Sequence, residues 1–253
     1  MTLEITTIPC LSDNYAFIAV CSETGMVAVI DAPEAAPIQR ELRSRELTPN
    51  MILLTHHHSD HIDGLAGIKQ DAAVVGAEAD KHRLPPLDHA VKEGDVIEIG
   101  ASELTVIDVS GHTVGHIAFY CEDSKAMFTG DSLMAMGCGR LFEGTADQMW
   151  ESLSKLAALP SDTLIYSGHE YTASNAKFAK SVDPDNGLLD ARIDDITARR
   201  TANIPTVPSL LADELTTNPF LRAISPDVKA FLGMQDVSDA AVFAEIRARK
   251  DGF

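Results

Sequence analysis

The pattern of apolar and polar positions divides the chain into two parts. Up to about residue 169, short apolar or alternating runs are separated by turn residues. These runs predict β-strands at residues 3–8, 16–20, 26–30, 51–54, 73–76, 96–99, 104–109, 117–121, 126–129 and 163–166. Helical composition between them predicts helices at residues 34–47, 62–69 and 145–159, the last with Thr145 as its N-cap. The first part therefore mixes strands and helices.

The second part has a different character. Residues 172–202 and 236–250 are helical in composition, proline-containing loops separate them, and no β-like alternation is visible. We therefore predict a boundary near residues 170–173. It separates a catalytic domain of residues 1–171 from a helical substrate-binding domain of residues 172–253.

The bulk composition limits the classes of partner. Of 253 residues, 45% are hydrophobic and 23% are charged, which is ordinary for a globular protein. The net charge of −18 argues against nucleic acid, because binding its backbone requires a basic face. No apolar run reaches the length of a membrane-spanning helix, so we expect no membrane partner.

The first residues and the cysteines bear on location. The start, MTLE, lacks the basic and apolar regions of a secretory signal, so a chain that begins at its natural start is expected to be cytoplasmic. The four cysteines form no CxxC pair and no disulfide-like framework. We therefore expect free thiols.

A cluster of metal-binding side chains follows the predicted strand at residues 51–54. Residues 55–61 read THHHSDH. His56 and His58 are two apart, so in extended backbone their side chains point the same way, whereas His57 points away and is expected to pack beneath the site. Asp60 and His61 follow as the chain turns towards a helix. Two pairs in different directions suit two metal ions better than one.

Three further candidate ligands each follow a strand and a glycine. They are His112, Asp131 and His169. Imidazoles with carboxylates suit zinc, iron or manganese, and they differ from the sulfur-rich ligands of a structural zinc site. A single histidine at a strand end is more often structural, and a triple-histidine run can be an incidental metal-binding tract. The complete set is far more specific than either.

The spacing HxHxDH with later GHT, TGD and GHE resembles the metallo-β-lactamase superfamily. Further segments resemble its glyoxalase II branch, the hydroxyacylglutathione hydrolases. These segments are residues 13–15, 55–61, 111–116, 128–131, 137–144, 168–171, 218–220 and 247–253. The similarity covers nearly the whole chain. It implies an α+β fold, namely an αββα sandwich with a smaller C-terminal all-α domain that covers the site.

The same resemblance implies two sites for divalent metal ions. Seven ligands are implied: His56, His58 and His112 for one ion, Asp60, His61 and His169 for the other, and Asp131 for both. Zinc is the expected metal, with iron or manganese as alternatives. Asp60 and Asp131 count as catalytic, since a hydroxide bridged by the metals would be the nucleophile. Asp31 is expected to orient ligands from behind, its alternative role being a turn or helix N-cap.

Basic and aromatic groups late in the chain indicate the substrate. In the resembled family the matching positions hold glutathione, and here they are Arg140, Phe142, Tyr171, Arg247 and Lys250. Arg247 and Lys250 are three apart on a predicted helix, so they share one face and could clamp a carboxylate. Their alternative interpretation is a solvated helix end. Some family members carry tyrosine at the position of Phe142. Phenylalanine has no hydroxyl, so one hydrogen bond to the substrate is expected to be missing here.

The resemblance therefore implies a thioester hydrolase. It would cleave S-(2-hydroxyacyl)glutathione, such as S-D-lactoylglutathione, to glutathione and a 2-hydroxy acid, D-lactate, the second step of methylglyoxal detoxification. A small glutathione thioester is the expected partner, and a monomer the expected state. One alternative is a mononuclear iron glutathione persulfide dioxygenase of the same superfamily, which needs only one complete ligand set. A second is a non-enzymatic metal-binding protein.

Overall fold

A computed structural model describes residues 2–253. Its strands are β1 (Leu3–Cys10), β2 (Asn14–Cys21), β3 (Val27–Ile30), β4 (Met51–Leu53), β5 (Ala73–Ala77), β6 (His89–Val91), β7 (Val96–Ile99), β8 (Ser102–Asp108), β9 (Ile117–Cys121), β10 (Ala126–Gly130), β11 (Leu133–Met134), β12 (Gly137–Cys138), β13 (Leu164–Ser167) and β14 (Ser209–Leu210). Its α-helices are α1 (Ala35–Ser44), α2 (Ser59–Ile62), α3 (Leu65–Ile68), α4 (Ala146–Ala157), α5 (Thr172–Val182), α6 (Gly187–Thr201), α7 (Leu211–Thr217), α8 (Pro226–Leu232) and α9 (Asp239–Asp251). Short 3₁₀ helices lie at Glu78–Asp80 and Leu221–Ile224.

Most strands form two six-stranded sheets. The first has the order β1-β2-β3-β4-β5-β6, and the second has the order β14-β13-β10-β9-β8-β7. In the first sheet β3, β4, β5 and β6 run parallel, while β1 and β2 form an antiparallel hairpin beside them. In the second sheet only β10 and β13 are parallel neighbours.

Alternate side chains of the strands enter different apolar cores. In β2, Phe17 belongs to the core between the two sheets, whereas Ile18 belongs to an outer core with Ile38 of α1. In β8, Val106 likewise points between the sheets and Ile107 points to the outer helices. Because side chains alternate along a strand, each sheet is covered on both faces. The layers are helix, sheet, sheet and helix, so the predicted αββα sandwich is confirmed.

With one exception, the predicted elements of the first part agree with the structure, with shifts of a few residues at their ends. Thr145 caps α4 as expected: its side chain accepts from Gln148 N at 3.2 Å, and the side chain of Gln148 accepts from Thr145 N at 2.9 Å. The single helix expected at residues 62–69 is wrong, since α2 and α3 are separate turns. Gly64 lies between them, where an added Cβ would come 2.7 Å from Ala35 N, so close packing on α1 interrupts the helix.

The expectation of no strand after residue 171 is wrong. β14 pairs antiparallel with β13, with Leu210 opposite Leu164. Two residues are too few to show alternation, which is why the pattern carried no signal. The proline-containing loops likewise hold α7 and α8, whose seven residues each are short for helical periodicity.

One apolar core joins the two parts of the chain. It contains Ile107 and Met149 from the first part together with Phe220, Phe243 and Ile246 from the second. The division at residues 171 and 172 stays a prediction, because apolar packing continues across it. Within residues 2–253, no helix has both the length and the apolar character needed to cross a membrane.

Candidate metal centre and substrate pocket

Seven imidazole and carboxylate side chains converge where β4, β8, β10 and β13 end. They are the seven predicted ligands, His56, His58, Asp60, His61, His112, Asp131 and His169. β8 and β10 run in the same direction because both are antiparallel to β9, so their ends share one edge of the second sheet. The two sheets are tied together there, since Ile117 N donates to Thr55 O at 3.0 Å.

The first cluster consists of His56, His58 and His112. Their ring nitrogens lie within 4.8 Å of one another. The closest pair is His58 Nδ1 and His112 Nε2, 3.0 Å apart. Three imidazole nitrogens this close together match a common arrangement for a zinc or iron ion.

The second cluster consists of Asp60, His61 and His169, again within 4.8 Å of one another. His169 Nε2 lies 3.4 Å from Asp60 Oδ2 and 3.4 Å from His61 Nε2. This cluster therefore offers two nitrogen donors and one carboxylate oxygen.

Asp131 lies between the two clusters. Its Oδ1 is 3.3 Å from His61 Nε2, and its Oδ2 is 3.3 Å from His169 Nε2 and 3.5 Å from His112 Nε2. A carboxylate that contacts ligands of both clusters has the geometry expected of a bridge.

Two buried atoms of these clusters test whether the residues fit metal ions. Within residues 2–253, neither His56 Nε2 nor Asp131 Oδ1 has a hydrogen-bond partner. A buried polar atom without a partner costs about 1–3 kcal/mol, so native proteins rarely leave one unsatisfied. Both atoms belong to groups of nitrogen and oxygen donors. Divalent metal ions would satisfy them, and the residues therefore fit.

Burial and neighbouring charges shift the pKa values of the cluster residues in different directions. Burial lowers the pKa of His56 well below its usual value, so this imidazole is neutral. Burial opposes charge on His169, but the carboxylates of Asp131 and Asp60 raise its pKa to about 10. Burial also opposes ionisation of Asp131, yet the imidazoles of His61 and His169 hold its pKa well below the usual range. The Asp131 carboxylate is therefore anionic.

Asp31 lies directly behind the centre, after the end of β3. Its carboxylate accepts from His61 Nδ1 at 2.8 Å and from the backbone N and the hydroxyl of Thr55, each at 2.8 Å. The first of these contacts leaves His61 Nε2 directed at the cluster. Thr55 Oγ1 in turn lies 3.0 Å from His56 Nδ1. Asp31 thus contacts His61 directly and His56 through Thr55, and its orienting role stays a prediction.

The turn between β1 and β2 supplies two contacts that the sequence did not reveal. Asp13 Oδ1 accepts from His169 Nδ1 at 2.9 Å. Asn14 Nδ2 donates to both the backbone O and the carboxylate Oδ2 of Asp60, each at 3.0 Å. The only signal for either residue was its membership of a segment that resembles the family.

His57 points away from the clusters, as its place in the run predicted. Its Nδ1 donates to Asp80 Oδ2 at 2.9 Å, and Asp80 is buried. Arg83 bonds both Asp80 and Glu143, and Glu143 Oε2 also accepts from Val114 N at 2.9 Å. The network ties the histidine run to the loop at residues 139–144.

Glycines let the strand ends approach closely. An added Cβ at Gly168 would lie 2.5 Å from Asp131 Oδ1 and 2.7 Å from His61 Cε1. Gly130 has φ +48, and a Cβ there would lie 2.5 Å from Thr55 Oγ1. These positions exclude larger residues because neighbouring side chains already occupy the space.

A cavity of about 730 Å³ opens beside the clusters. His58, Asp60, His112, Asp131 and His169 line it. All five predicted substrate residues line it as well: Arg140, Phe142, Tyr171, Arg247 and Lys250. One cavity therefore contains the candidate ligands and the candidate substrate contacts.

The aromatic residues of the cavity stand against the ligands. Tyr171 stacks on His169, with ring centroids 4.6 Å apart and an interplanar angle of 8°. Phe142 is exposed, and its ring centroid lies 5.3 Å from that of His112 and 5.7 Å from that of His58. Phe142 therefore offers apolar surface at the opening.

The basic residues come from α9 and the loop at residues 139–144. Arg247 is buried; its Nη1 donates to Cys138 O at 3.1 Å and its Nη2 donates to Asp251 at 2.9 Å, whereas its Nε has no partner within residues 2–253. Arg140 Nε bonds the same oxygen of Asp251 at 3.3 Å. Lys250 lies over the ring of Phe178, 5.2 Å from its centroid. Asp251, which sequence reasoning missed, links two of the basic residues.

Cysteine sulfur takes no part in either cluster. All four cysteines are buried free thiols, as expected. Cys138 differs from the others because it lies in the wall of the cavity, beside Arg247.

Family models match both parts of the chain. The model of the metallo-beta-lactamase superfamily matches residues 14–169. The model described as the hydroxyacylglutathione hydrolase C-terminus matches residues 170–253.

Curated relatives match the chain over its full length. A hydroxyacylglutathione hydrolase of Ruegeria pomeroyi is 62% identical over 255 residues, covering 100% of both chains. The enzymes of the same name from Roseobacter denitrificans and Rhodobacter capsulatus are 59% and 52% identical, again with 100% of each chain covered.

Solved structures share the fold at lower identity. The B3 metallo-beta-lactamase BLEG-1 has a TM-score of 0.67 at 21% identity, covering 86% of this chain and 99% of its own. ETHE1 from Myxococcus xanthus has a TM-score of 0.63 at 23% identity, covering 99% and 98%. TTHA1623 in a di-iron-bound form has a TM-score of 0.63 at 24% identity, covering 86% and 100%. At these identities the likeness shows the fold alone.

Proposed function

The chain belongs to the metallo-beta-lactamase superfamily and, within it, to the hydroxyacylglutathione hydrolases, and we propose how its own residues carry out that activity. It is a hydrolase that cleaves the thioester of an S-(2-hydroxyacyl)glutathione to glutathione and a 2-hydroxy acid. The finer identification concerns the substrate. S-D-lactoylglutathione is the proposed acyl donor and D-lactate the proposed acid, so the reaction would be the second step of methylglyoxal detoxification.

One observation carries this proposal. The same cavity is lined by nitrogen and oxygen donors of the clusters and by Arg247 and Lys250 of α9. A glutathione thioester likewise has two chemically different parts, since its carboxylates are remote from the carbonyl that reacts. Cations at one wall and ligand donors at another suit such a molecule.

The proposed cofactors are two divalent metal ions. His56, His58 and His112 would hold one ion, Asp60, His61 and His169 would hold the other, and Asp131 would contact both. When bound, such a pair lowers the pKa of a water and polarises a carbonyl oxygen. Zinc is the proposed metal, and iron or manganese would suit the same nitrogen and oxygen donors.

Both carboxylates of the centre, Asp60 and Asp131, are ionised at neutral pH. Asp131 stays ionised because His61 and His169 hold its pKa well below the usual range, burial notwithstanding. Asp60 stays ionised because its hydrogen bond with His169, and the one from Asn14, lower its pKa. Neither group therefore competes for a proton at neutral pH.

The remaining cavity residues bind and orient the substrate. Arg247 and Lys250 would attract a carboxylate of glutathione, and Arg140 lines the same cavity. Tyr171 presents a hydroxyl beside His169, and Phe142 packs as apolar surface only. Holding the distant end of the thioester fixes the position of its carbonyl.

Departure of the product requires little from the protein. An ordinary thiol has a pKa of about 8.5, so a thiolate leaves without a dedicated proton donor.

The proposed setting is cytoplasmic, and the proposed state is a monomer that acts on a small molecule and binds neither nucleic acid nor membrane.

The test combines activity with metal content. We expect purified protein containing about two metal ions per chain to hydrolyse S-D-lactoylglutathione. The reaction is measured as the loss of absorbance of the thioester. Chelation should abolish turnover and metal return should restore it. Absence of thioester turnover in a fully loaded sample would sink the proposal.

The alternative of a mononuclear iron dioxygenase is not favoured. Full-length relatives that are 52–62% identical bear the hydrolase name. The second ligand set also has no role in that interpretation. One iron per chain together with oxygen uptake on glutathione persulfide would support it instead.

A further inference from the structure

We propose that Asp13 and Asn14 are positioning residues that determine whether the second metal ion is held. The inference rests on the proposed dinuclear centre and concerns only its second ligand set, Asp60, His61 and His169. Neither residue is a ligand. Each acts on a ligand from the turn between β1 and β2.

Backbone hydrogen bonds fix this turn to the end of β13. Tyr15 N donates to Gly168 O at 2.8 Å, and Glu170 N donates to Asp13 O at 2.8 Å. Asn14 and His169 form an isolated antiparallel bridge. The turn and the segment carrying His169 therefore move as one unit, although they are far apart in sequence.

Each side chain of the turn then orients one ligand. Asp13 Oδ1 accepts from His169 Nδ1 at 2.9 Å, which leaves His169 Nε2 without its proton when a metal is bound. Asn14 is buried, and its Nδ2 donates to Asp60 Oδ2 and to Asp60 O, each at 3.0 Å. The second donation fixes the backbone at Asp60 as well as its carboxylate.

The first ligand set is oriented by different groups. His112 Nδ1 donates to the backbone O of Arg140 at 2.8 Å. His56 Nδ1 lies 3.0 Å from Thr55 Oγ1. These partners belong to the loop after β12 and to the end of β4, so the turn between β1 and β2 acts on the second set.

This asymmetry has a measurable consequence. Loss of a partner behind a metal ligand typically lowers metal affinity about 10–100-fold. Asp13→Ala and Asn14→Ala should therefore weaken the second ion by about that factor and leave the first within about twofold. The variants should approach a centre with one ion at metal concentrations that fill both sites of the unchanged protein.

The experiment titrates full-length apoprotein with Co²⁺ and follows its absorption bands and its metal stoichiometry. His58→Ala and Asp60→Ala serve as references, since each leaves one ligand set incomplete and so assigns the bands. Tyr15→Phe is the matched control. Tyr15 follows Asn14 in β2, and its hydroxyl donates to Glu170 Oε2 at 2.7 Å. The substitution removes this hydrogen bond and none of the contacts to a ligand side chain. If an alanine variant fails to fold, Asp13→Leu replaces Asp13→Ala and Asn14→Leu replaces Asn14→Ala, since leucine is close in size but makes no hydrogen bond.

Selective weakening of the ion missing in Asp60→Ala, with Tyr15→Phe unchanged, supports the proposal. Equal weakening of both ions overturns it, as does an unchanged second ion in the Asp13 and Asn14 variants. Equal weakening in Tyr15→Phe also overturns it, because docking of the strand would then suffice. No thioester is present in the titration. A failed hydrolysis assay with intact two-site binding would therefore count against the proposed function alone.

Discussion

Residues that line the cavity differ in how many of the candidate metal ligands they contact. Asp131 contacts His61, His112 and His169, while its backbone N donates to His116 Nε2 at 3.0 Å. Lys250 contacts mainly the rings of Phe178 and Phe253. Substitution of the first should therefore affect the whole centre, and substitution of the second only the far end of the cavity.

Asp131→Ala should lose both metal ions and nearly all turnover. The reason is that a carboxylate in contact with ligands of both clusters disappears, leaving His61 and His169 without its counter-charge. Metal content by mass spectrometry and the hydrolysis rate, measured on one sample, check this. Retention of two ions with full activity would contradict it. Asp195→Ala is the matched control, since its exposed carboxylate lies on α6 and, among the residues that the structure describes, pairs only with Arg199, at 2.9 Å.

Lys250→Ala should raise KM more than it lowers kcat. The side chain lies at the wall of the cavity, away from the bond that breaks, so its loss weakens binding of substrate and transition state alike. Steady-state kinetics with S-D-lactoylglutathione give both constants. An unchanged KM in the Arg247→Ala, Lys250→Ala double variant would rule out the proposed clamp, provided that its melting temperature shows a folded protein.

The residues predictable from sequence were those with a local pattern. The two-residue spacing of His56 and His58 indicated their shared direction and excluded His57. Asp13 could not be predicted, because its partner His169 is 156 positions away and only the pairing of β1, β2 and the end of β13 brings them together. Asp251 was missed for a similar reason, since Arg140 is 111 positions away.

At the scale of elements, the ends of strands position the chemistry. β8, β10 and β13 deliver His112, Asp131 and His169 to one edge, and glycine allows the chain to turn there. Long elements with a clear period were predicted with shifts of a few residues at their ends. The short strands β6, β11, β12 and β14 were not predicted. Two or three residues cannot show a period, and these strands lack the continuous apolar run that indicated β4, so their pairing partners decide whether they form.

Gly168→Ala should lower metal content and turnover while leaving the protein folded. An added Cβ would lie 2.5 Å from Asp131 Oδ1 and 2.7 Å from His61 Cε1, so two ligands must shift. Gly187→Ala at the start of α6 is the matched control, since nothing lies within 4 Å of its added Cβ. Metal analysis of the two variants tests the difference, and equal metal content in both would contradict it.

Glu143→Gln should lower the melting temperature at neutral pH. The gap, that is, the difference in melting temperature between the variant and the unchanged protein, should narrow as the pH falls. The hydrogen bond from Arg83, more than that from Val114 N, lowers the pKa of Glu143 to about 2 from a usual 4.5. A depressed pKa stabilises the fold above about pH 4.5, and that contribution disappears as pH falls towards 2. Because the pair is partly exposed, we expect about 1 kcal/mol or less, or about 2–4 °C.

Melting curves of the metal-free protein between pH 7 and about pH 2.5 measure that difference in melting temperature. Glu245→Gln is the control, since Glu245 bonds Arg249 on the exposed side of α9, at 2.8 Å. A gap that widens as pH falls would contradict the assigned cause.

At the scale of the whole molecule, the two parts of the chain share a core. Phe243 and Ile246 of α9 pack in the same cluster as Met149 and Leu153 of α4. The composition of each part predicted its elements. It could not predict this shared packing, since patterns within a segment do not reveal which segment covers it.

A chain cut after residue 171 should therefore fail to form a stable monomer. It would lose β14 from the edge of β13 and expose the apolar side of α4 and the second sheet. Size-exclusion chromatography and thermal melting would show aggregation or a non-cooperative transition. A sharp transition of residues 1–171 alone would instead favour two independent domains.

The burial of Cys138 in the cavity wall has a consequence for sulfur exchange. Each turnover releases a thiol into the cavity that this residue lines. Burial raises the pKa of Cys138 to about 11, although Arg247 opposes the shift. A protonated thiol is a poor nucleophile towards disulfides, and a buried one is poorly accessible to them. We therefore expect Cys138 to resist glutathionylation by oxidised glutathione.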